Sequence, residues 1–250
     1  MTRTPPKRII SLVPSLTQTL YDLGLEDWIL GITDFCPLKN QGKAPPFRIG
    51  GPKNPEIAFI SKLNPDLILA NPEENPLEVI EKLKLQFPIL TFQPKKLNDG
   101  LALILEIGKL TKSLSQAKQL VSEIKKEMAE TEKFLRSKEP KRCVYLIWKN
   151  PYMTINQDTY IHDFLKTCNC QNPFASSKKR YPWISIEQIE NARPDIIFLP
   201  DEPYPFKQRD KKDFSTIPSK IILVDGRAAC WYGSYLKGAL SYFRKVVWTH

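Results

Sequence analysis

Short apolar runs rich in β-branched residues recur along the chain, separated by stretches with helical apolar spacing. The first, "RIISLV" at 8–13, reads as a buried strand. Further strands are expected at 28–32, 66–70 and 88–92, with helices around 55–63 and 76–86. Ser15 reads as the N-cap of a helix that ends at Gly24. In the second half the same reading gives strands at 142–148, 195–199 and 220–224, and helices near 159–168, 185–191 and 234–247. Strands alternating with helices predict an α/β fold: parallel sheets with helices packed on both faces.

The two halves echo one another. Lys7-Arg8 precedes "IISLV", as Lys141-Arg142 precedes "CVYLIW"; "NPDLILANPEENP" is matched by "RPDIIFLPDEPYP". Both pairs are separated by nearly the same length of chain, as a duplicated α/β lobe requires. Between the halves, 113–137 has no proline or glycine. Its apolar residues Leu114, Ala117, Leu120, Val121, Ile124, Met128 and Phe134 fall near helical spacing on one side. A helix of about 23 residues would be roughly 35 Å long. The expected organisation is an N-terminal lobe at 1–112, a connecting helix at 113–138 and a C-terminal lobe at 139–250.

Composition narrows the function. At 42% hydrophobic and 26% charged, the chain is globular rather than disordered. No apolar run approaches the roughly 20 residues that span a bilayer. The N-terminal run at 9–13 is too short for a signal-peptide core, and five scattered cysteines give no disulfide framework. Both features lead to the expectation of a cytoplasmic protein. The net charge of +10 comes from scattered lysine pairs outside any groove-reading motif, so no nucleic-acid partner is expected.

Ligands of open α/β sheets bind beyond the carboxyl ends of the strands. The residues there are Pro14 and Ser15; Asn71, Glu73, Glu74 and Asn75; Lys149, Asn150 and Tyr152; Asp201, Glu202, Tyr204 and Phe206; and Asp225, Arg227, Trp231, Tyr232 and Tyr235. This set is rich in aromatics and poor in catalytic pairs, which suits a bulky, partly apolar ligand. Plainer readings stand beside it. Trp231-Tyr232-Gly233 also reads as a buried helix entrance, Tyr204 and Phe206 as a proline-stiffened surface loop, and Glu73-Glu74 as a solvated helix start. His162, inside a helix, reads as structural. Cys168 and Cys170 lack the second pair a zinc site needs, and Cys36 sits on a loop after a strand. No metal site, required cofactor or enzyme motif is expected.

The stretches "RIISLVPSLTQTLYDLGLEDWILGIT", "RIGGPKNP", "LNPDLILA" and "ISIEQIENARPDIIFLP" resemble the vitamin B12- and iron-siderophore-binding proteins of ABC importers. The likeness covers nearly the whole chain. "IWKNPYMTINQDTYIHDFL" and "LPDEPYPF" are similar to a cobalamin-binding-like subgroup. The resemblance implies two α/β lobes joined by one long helix and non-catalytic binding of a metal chelate, foremost a corrinoid, in the interlobe cleft by a monomer. Tyr181 then falls where the cobalamin receptors carry a tryptophan. It joins Tyr204, Phe206, Trp231 and Tyr232 as wall residues, with Trp148 in the strand beside them. Arg227, Lys149, Glu73 and the Asp201/Glu202 loop become polar contacts. An ABC permease would dock on one exposed glutamate per lobe, seven residues before the Pro-Asp strand entry. That residue is Glu187 in the C-terminal lobe and Ala58 in the N-terminal lobe, with Glu56 two residues away on another face. The rival readings are a cytoplasmic corrinoid or metal-handling protein without a permease, and an enzyme using Cys36 or Glu73 with a bound metal.

Overall fold

The computed structural model describes residues 4–39 and 44–248. They form two compact units, the first built from Met1–Pro94, Asn98–Glu123 and Trp231–Tyr235, the second from Lys95–Leu97, Ile124–Cys230 and Leu236–His250. In chain order the first half contributes β1 (Ile9–Ser11), α1 (Pro14–Asp22), β2 (Ile29–Ile32), β3 (Phe47–Arg48), α2 (Ile57–Leu63), β4 (Leu67–Ala70), α3 (Leu77–Lys84), β5 (Ile89–Thr91), α4 (Leu97–Leu110) and α5 (Leu114–Leu135). The second half adds β6 (Lys141–Tyr145), α6 (Tyr160–Thr167), β7 (Cys170–Gln171), α7 (Ile186–Asn191), β8 (Ile196–Pro200), β9 (Lys220–Val224), α8 (Arg227–Cys230) and α9 (Leu236–Trp248). Each unit has one wholly parallel sheet, ordered β3-β2-β1-β4-β5 in the first and β7-β6-β8-β9 in the second. The expected α/β class with parallel sheets and flanking helices is what the chain adopts.

The Pro-Asp echo has a physical basis. Helix α2 ends at Asn64 and α7 just before Arg193, both in the left-handed region at φ 46° and 45°. A proline follows each, and it cannot continue a helix. Next come Asp66 and Asp195, whose carboxylates accept backbone N–H groups at the start of the neighbouring strand. Lys7 and Arg8 donate to Asp66 at 2.8 and 2.9 Å, and Arg142 donates to Asp195 at 2.8 Å. The aspartate N–H donates back to the carbonyl of Arg8 or Arg142. Each arginine Nε closes the motif on a carbonyl at the helix end, Asn64 at 3.1 Å or Ala192 at 2.9 Å. One device thus sets the central strand pair in both sheets.

Several boundaries differ from the sequence reading. Val13, not Ser15, caps α1; Pro14 takes the first helical position, where a missing N–H costs nothing, and Ser15 is buried inside the turn. The helix ends at Asp22, and Gly24, at φ 73°, closes it. Its N–H donates to Tyr21 while Leu25 N–H donates back to Leu20. Strand β6 stops at Tyr145, so Trp148 lies beyond the strand rather than within it. Phe134, on the apolar side of α5, is 42% exposed, with the Lys138 and Arg244 cations near its ring.

Helix α4 has no counterpart in the sequence reading. It buries Leu97, Leu101, Leu103, Ile104 and Ile107 and exposes Asn98, Asp99, Ala102, Glu106 and Lys109 on the other side. Gly108 is needed there, because a Cβ at that position would lie 2.5 Å from the Ala117 Cβ of α5. Helix α5 belongs to the first unit as far as Glu123 and to the second from Ile124. In the second unit Glu127 caps the helical part of α9, accepting the N–H groups of Gly238 and Ser241 at 2.7 Å each. That helix breaks at Lys237 and Gly238 (φ 88°), so its first turn needs an outside acceptor.

Gly108→Val is expected to cost about 1–3 kcal/mol through overpacking. Glu127→Ala is expected to cost about 1 kcal/mol through the lost cap. Urea denaturation with an unchanged m-value measures both; a Gly108→Val chain as stable as wild type contradicts the close approach.

Candidate functional site

In the second unit, the chain leaving β6 turns back on itself at 148–153. Trp148 and Met153 form an antiparallel bridge, and Met153 bridges again to Trp183. The backbone bonds are complete: Ile147 N–H to Met153 at 2.9 Å, Met153 N–H to Trp148 at 3.2 Å, Ile184 N–H to Tyr152 and Thr154 N–H to Pro182, both at 3.0 Å. Bridged residues put their side chains on one face, so Trp148, Met153 and Trp183 form a row. Tyr181, two residues before Trp183, points the same way in extended chain. Trp148, Tyr181 and Trp183 are 44%, 37% and 65% exposed. Tyr204, at the carboxyl end of β8, meets Trp148 edge to face with ring centroids 5.5 Å apart. Lys179 lies 5.4 Å from the Trp183 ring, and the Arg180 guanidinium 5.7 Å from that of Tyr181.

This face gathers some of the expected site residues and excludes others. Tyr181 and Tyr204 belong to it, as does Trp148. Phe206 does not: it is 2% exposed and packs in the core with Leu199, Phe214 and Ile217, while Tyr204 rests on it at 4.7 Å. Trp231 and Tyr232 are buried and pack in the first unit, where Tyr232 Oη accepts a hydrogen bond from Asn71 Nδ2 at 2.9 Å. Of the two readings for 231–233, the buried entrance is the one the packing favours, with Gly233 pressed against Thr19. Burial pushes the Tyr232 hydroxyl pKa well up. Arg227 is half exposed but held by Asp225, with Nε and Nη2 each donating at 2.9 Å. Asp201 accepts the Gly226 N–H at 2.8 Å, and Gly226 leaves no room for a side chain against the Glu202 backbone.

Lys149 is not a loose clamp. Its ammonium lies 2.6 Å from Asp210 and 2.7 Å from Asp213, and Tyr152 Oη donates to Asp213 as well. Hydrogen bonds to the two carboxylates hold the Lys149 pKa above the usual lysine value. Burial raises the Tyr152 pKa, and its bond to Asp213 adds to that. For Asp210, burial opposes ionisation, but bonds from Lys149 and the Lys207 N–H outweigh it and the pKa is lowered. Bonds from Lys149 and Tyr152 lower that of Asp213.

In the first unit the carboxyl ends of the strands present a different set. Glu73 is exposed, and its N–H donates to Asn71 Oδ1 at 2.9 Å in a tight turn. Asn75 braces that turn, accepting the Asn71 N–H and donating to the carbonyls of Leu12 and Pro52. Cys36 is buried beside the Thr33 hydroxyl at 3.1 Å, and burial raises its thiol pKa. Its neighbour Phe35 is 73% exposed, three residues past β2. His162, half-buried in α6, has its pKa lowered by burial. Among the described residues no cluster of His, Cys, Asp and Glu is arranged to hold a metal ion. No described helix is long and apolar enough to cross a membrane. Glu187 is exposed in the first turn of α7; Ala58 is exposed on α2 and Glu56 stands at its N-cap.

Two exposed aromatics were missed in the sequence. Trp183 sits directly before the "ISIEQ" helix start and is a larger and more exposed ring than Tyr181. Phe35 follows β2 beside the buried Cys36, and its ring is the one of the two that faces water.

A sequence model of the family described as periplasmic binding protein matches residues 9–223. Among curated relatives, a vitamin B12-binding protein of Vibrio parahaemolyticus is 26% identical over 79% of this chain and 72% of its own. Another of Vibrio vulnificus is 30% identical over 78% and 71%. Among solved structures, the periplasmic vitamin B12-binding protein of Vibrio cholerae superposes with a TM-score of 0.81 at 23% identity, covering 96% of each chain. The periplasmic heme-binding protein of the same organism gives 0.79 at 16%, covering 96% and 98%. The matched family is extracytoplasmic, which overturns the expectation of a cytoplasmic protein and with it the cytoplasmic metal-handling rival. Free, scattered cysteines are a weak guide to compartment when most of them are buried.

The carboxyls of Asp210 and Asp213 are expected to titrate below the ordinary value of about 3.9. Because their folded pKa is depressed, their stabilisation is complete above about pH 4 and is lost as pH falls through the lower folded value. Carboxyl ¹³C titration by NMR checks this, and a midpoint at or above 4 for both contradicts it.

Proposed function

The chain belongs to the periplasmic binding protein family, and from that premise we propose that it is a non-catalytic receptor of the ABC-importer type for a bulky metal chelate, foremost a corrinoid. The carrying observation is the exposed rings of Trp148, Tyr181 and Trp183, set in a row about the half-buried Met153 and Tyr204. Leaving large rings in water is unfavourable at roughly 25 cal/mol per Å², and a flat macrocycle laid on them recovers that area. The corrinoid choice draws on the relatives named vitamin B12-binding proteins. A second reading, a chelate with carboxylates at its rim such as haem, draws on Lys179 and Arg180 against the Trp183 and Tyr181 rings. Within the first unit, Phe35 and Glu73 are exposed at the strand ends.

The face supplies area and stacking, with no nucleophile–base pair, so reversible binding is the chemistry proposed for it. Glu187 is the proposed docking charge for a permease; Ala58 offers no charge at the corresponding place of the first unit.

Tryptophan-fluorescence titration with cobalamin, cobinamide, haemin and a ferric hydroxamate tests the reading. Saturable quenching by a corrinoid is expected, and Trp148→Ala or Trp183→Ala is expected to weaken it about tenfold or more. Quenching by haemin alone moves the assignment to the carboxylate-bearing class. Absence of quenching by all four below about 100 μM, where binding is worth roughly 5 kcal/mol, sinks the proposal.

A further inference from the structure

We infer that Lys149 is a positioning residue that fixes Trp148 and Tyr204 against each other by tying together the two loops that carry them. The inference rests on the reading of this face as the ligand wall. Trp148 is the residue before Lys149; Tyr204 lies just ahead of the 208–214 helical turn that supplies Asp210 and Asp213. Outside this tie, the Trp148 ring is 44% exposed and meets the second loop edge to face at Tyr204. An exposed pair of that kind contributes little on its own; Tyr152, bonded to Asp213 and packed on Phe214, joins the loops lower down, and Lys149 is the tie next to the Trp148 ring.

The tie is built for holding. The Lys149 side chain is 19% exposed and that of Asp210 only 7%, so the attraction between them is poorly screened. Asp210 Oδ1 takes the ammonium at 2.6 Å, while Oδ2 accepts the Lys207 N–H at 2.7 Å, so the carboxylate also clamps the start of its own loop. Asp213 takes the ammonium at 2.7 Å and accepts from Tyr152, whose ring packs on Phe214 at 5.1 Å. Two carboxylates thus converge on one cation, with Arg209 as a further nearby positive charge for Asp210. Removing Lys149 leaves two neighbouring anions on the second loop, one of them buried, and takes away the cation by which the first loop holds them. Asp213, at 32% exposure, is the weaker arm.

The test reads Trp148 without any ligand. Near-UV circular dichroism and acrylamide quenching are recorded for the full chain and its variants, with a Trp148→Phe chain subtracted to isolate the Trp148 signal. Lys149→Met is expected to abolish the Trp148 dichroic band and raise its quenching about twofold, with far-UV signal kept; Lys149→Arg is expected to restore both, since it keeps the charge. Cobinamide affinity, where wild type binds it, is expected to fall about tenfold in Lys149→Met and recover in Lys149→Arg. If Lys149→Met does not fold, Asp213→Asn carries the test with a smaller change in the same direction. A wild-type Trp148 band and quenching constant in the folded variant overturn the inference. Because those signals need no ligand, they fail independently of the chelate reading, which falls only if wild type binds none of the four probes.

Discussion

Everything in either sheet is referred to one contact, the aspartate carboxylate that grips the start of the neighbouring strand. Asp66 and Asp195 each follow a proline that has just ended a helix, and each bonds backbone N–H groups of the segment opening β1 or β6. A parallel pair has evenly spaced bonds and no hairpin to set its register, so something at the strand entry has to do so. With Asp66 fixed beside Arg8, Ile9 pairs with Leu67; with Asp195 fixed beside Arg142, Cys143 pairs with Ile196. A slip by one residue would exchange the two buried faces of β4 and of β8 and move every loop at the far ends.

Those far ends are where the candidate ligand contacts stand, and they divide into rigid and exposed parts. In the second unit, Met153 holds two indoles in register through backbone bonds, while Tyr204 leans on the buried Phe206. Exposed rings therefore rest on a backbone ribbon on one side and on core packing on the other. In the first unit the Asn71–Asn75 turn is braced by amide bonds to Leu12 and Pro52, so Glu73 is presented from a stiff support. Such preorganisation lowers the ordering cost of binding.

The longer strands and most helices were legible because β-branched runs and Pro-Asp or capping-box entries are local signals, Ser185 with Gln188 being one; the two-residue edge strands β3 and β7 carry no such run and were not. Helix α4 was not, since glycines at 100 and 108 interrupt its pattern, and Gly108 serves a close approach to α5 that no local signal records. The aromatic character of the site was legible, but not which rings face water. Phe206 and Tyr232 look like wall residues by loop position, yet tertiary packing buries both, whereas Trp183 is exposed by a bridge to a residue 30 positions earlier in the chain, Met153. Lys149 reads as a polar ligand contact until Asp210 and Asp213, about sixty residues on, are brought to it.

The five-residue visit of Trp231–Tyr235 to the first unit has a consequence for how the protein is made. The Ser234 N–H and the Gly233 backbone fill the space over Thr19 on α1, and Tyr232 satisfies the Asn71 amide. A ribosome delivers α1 and Asn71 more than 150 residues before the segment that covers them. During that interval the first unit carries an uncovered helix face and a polar amide without its tyrosine. Completion of the first unit therefore waits on the Trp231–Tyr235 segment, and a chain that stops before it leaves α1 and Asn71 without their cover.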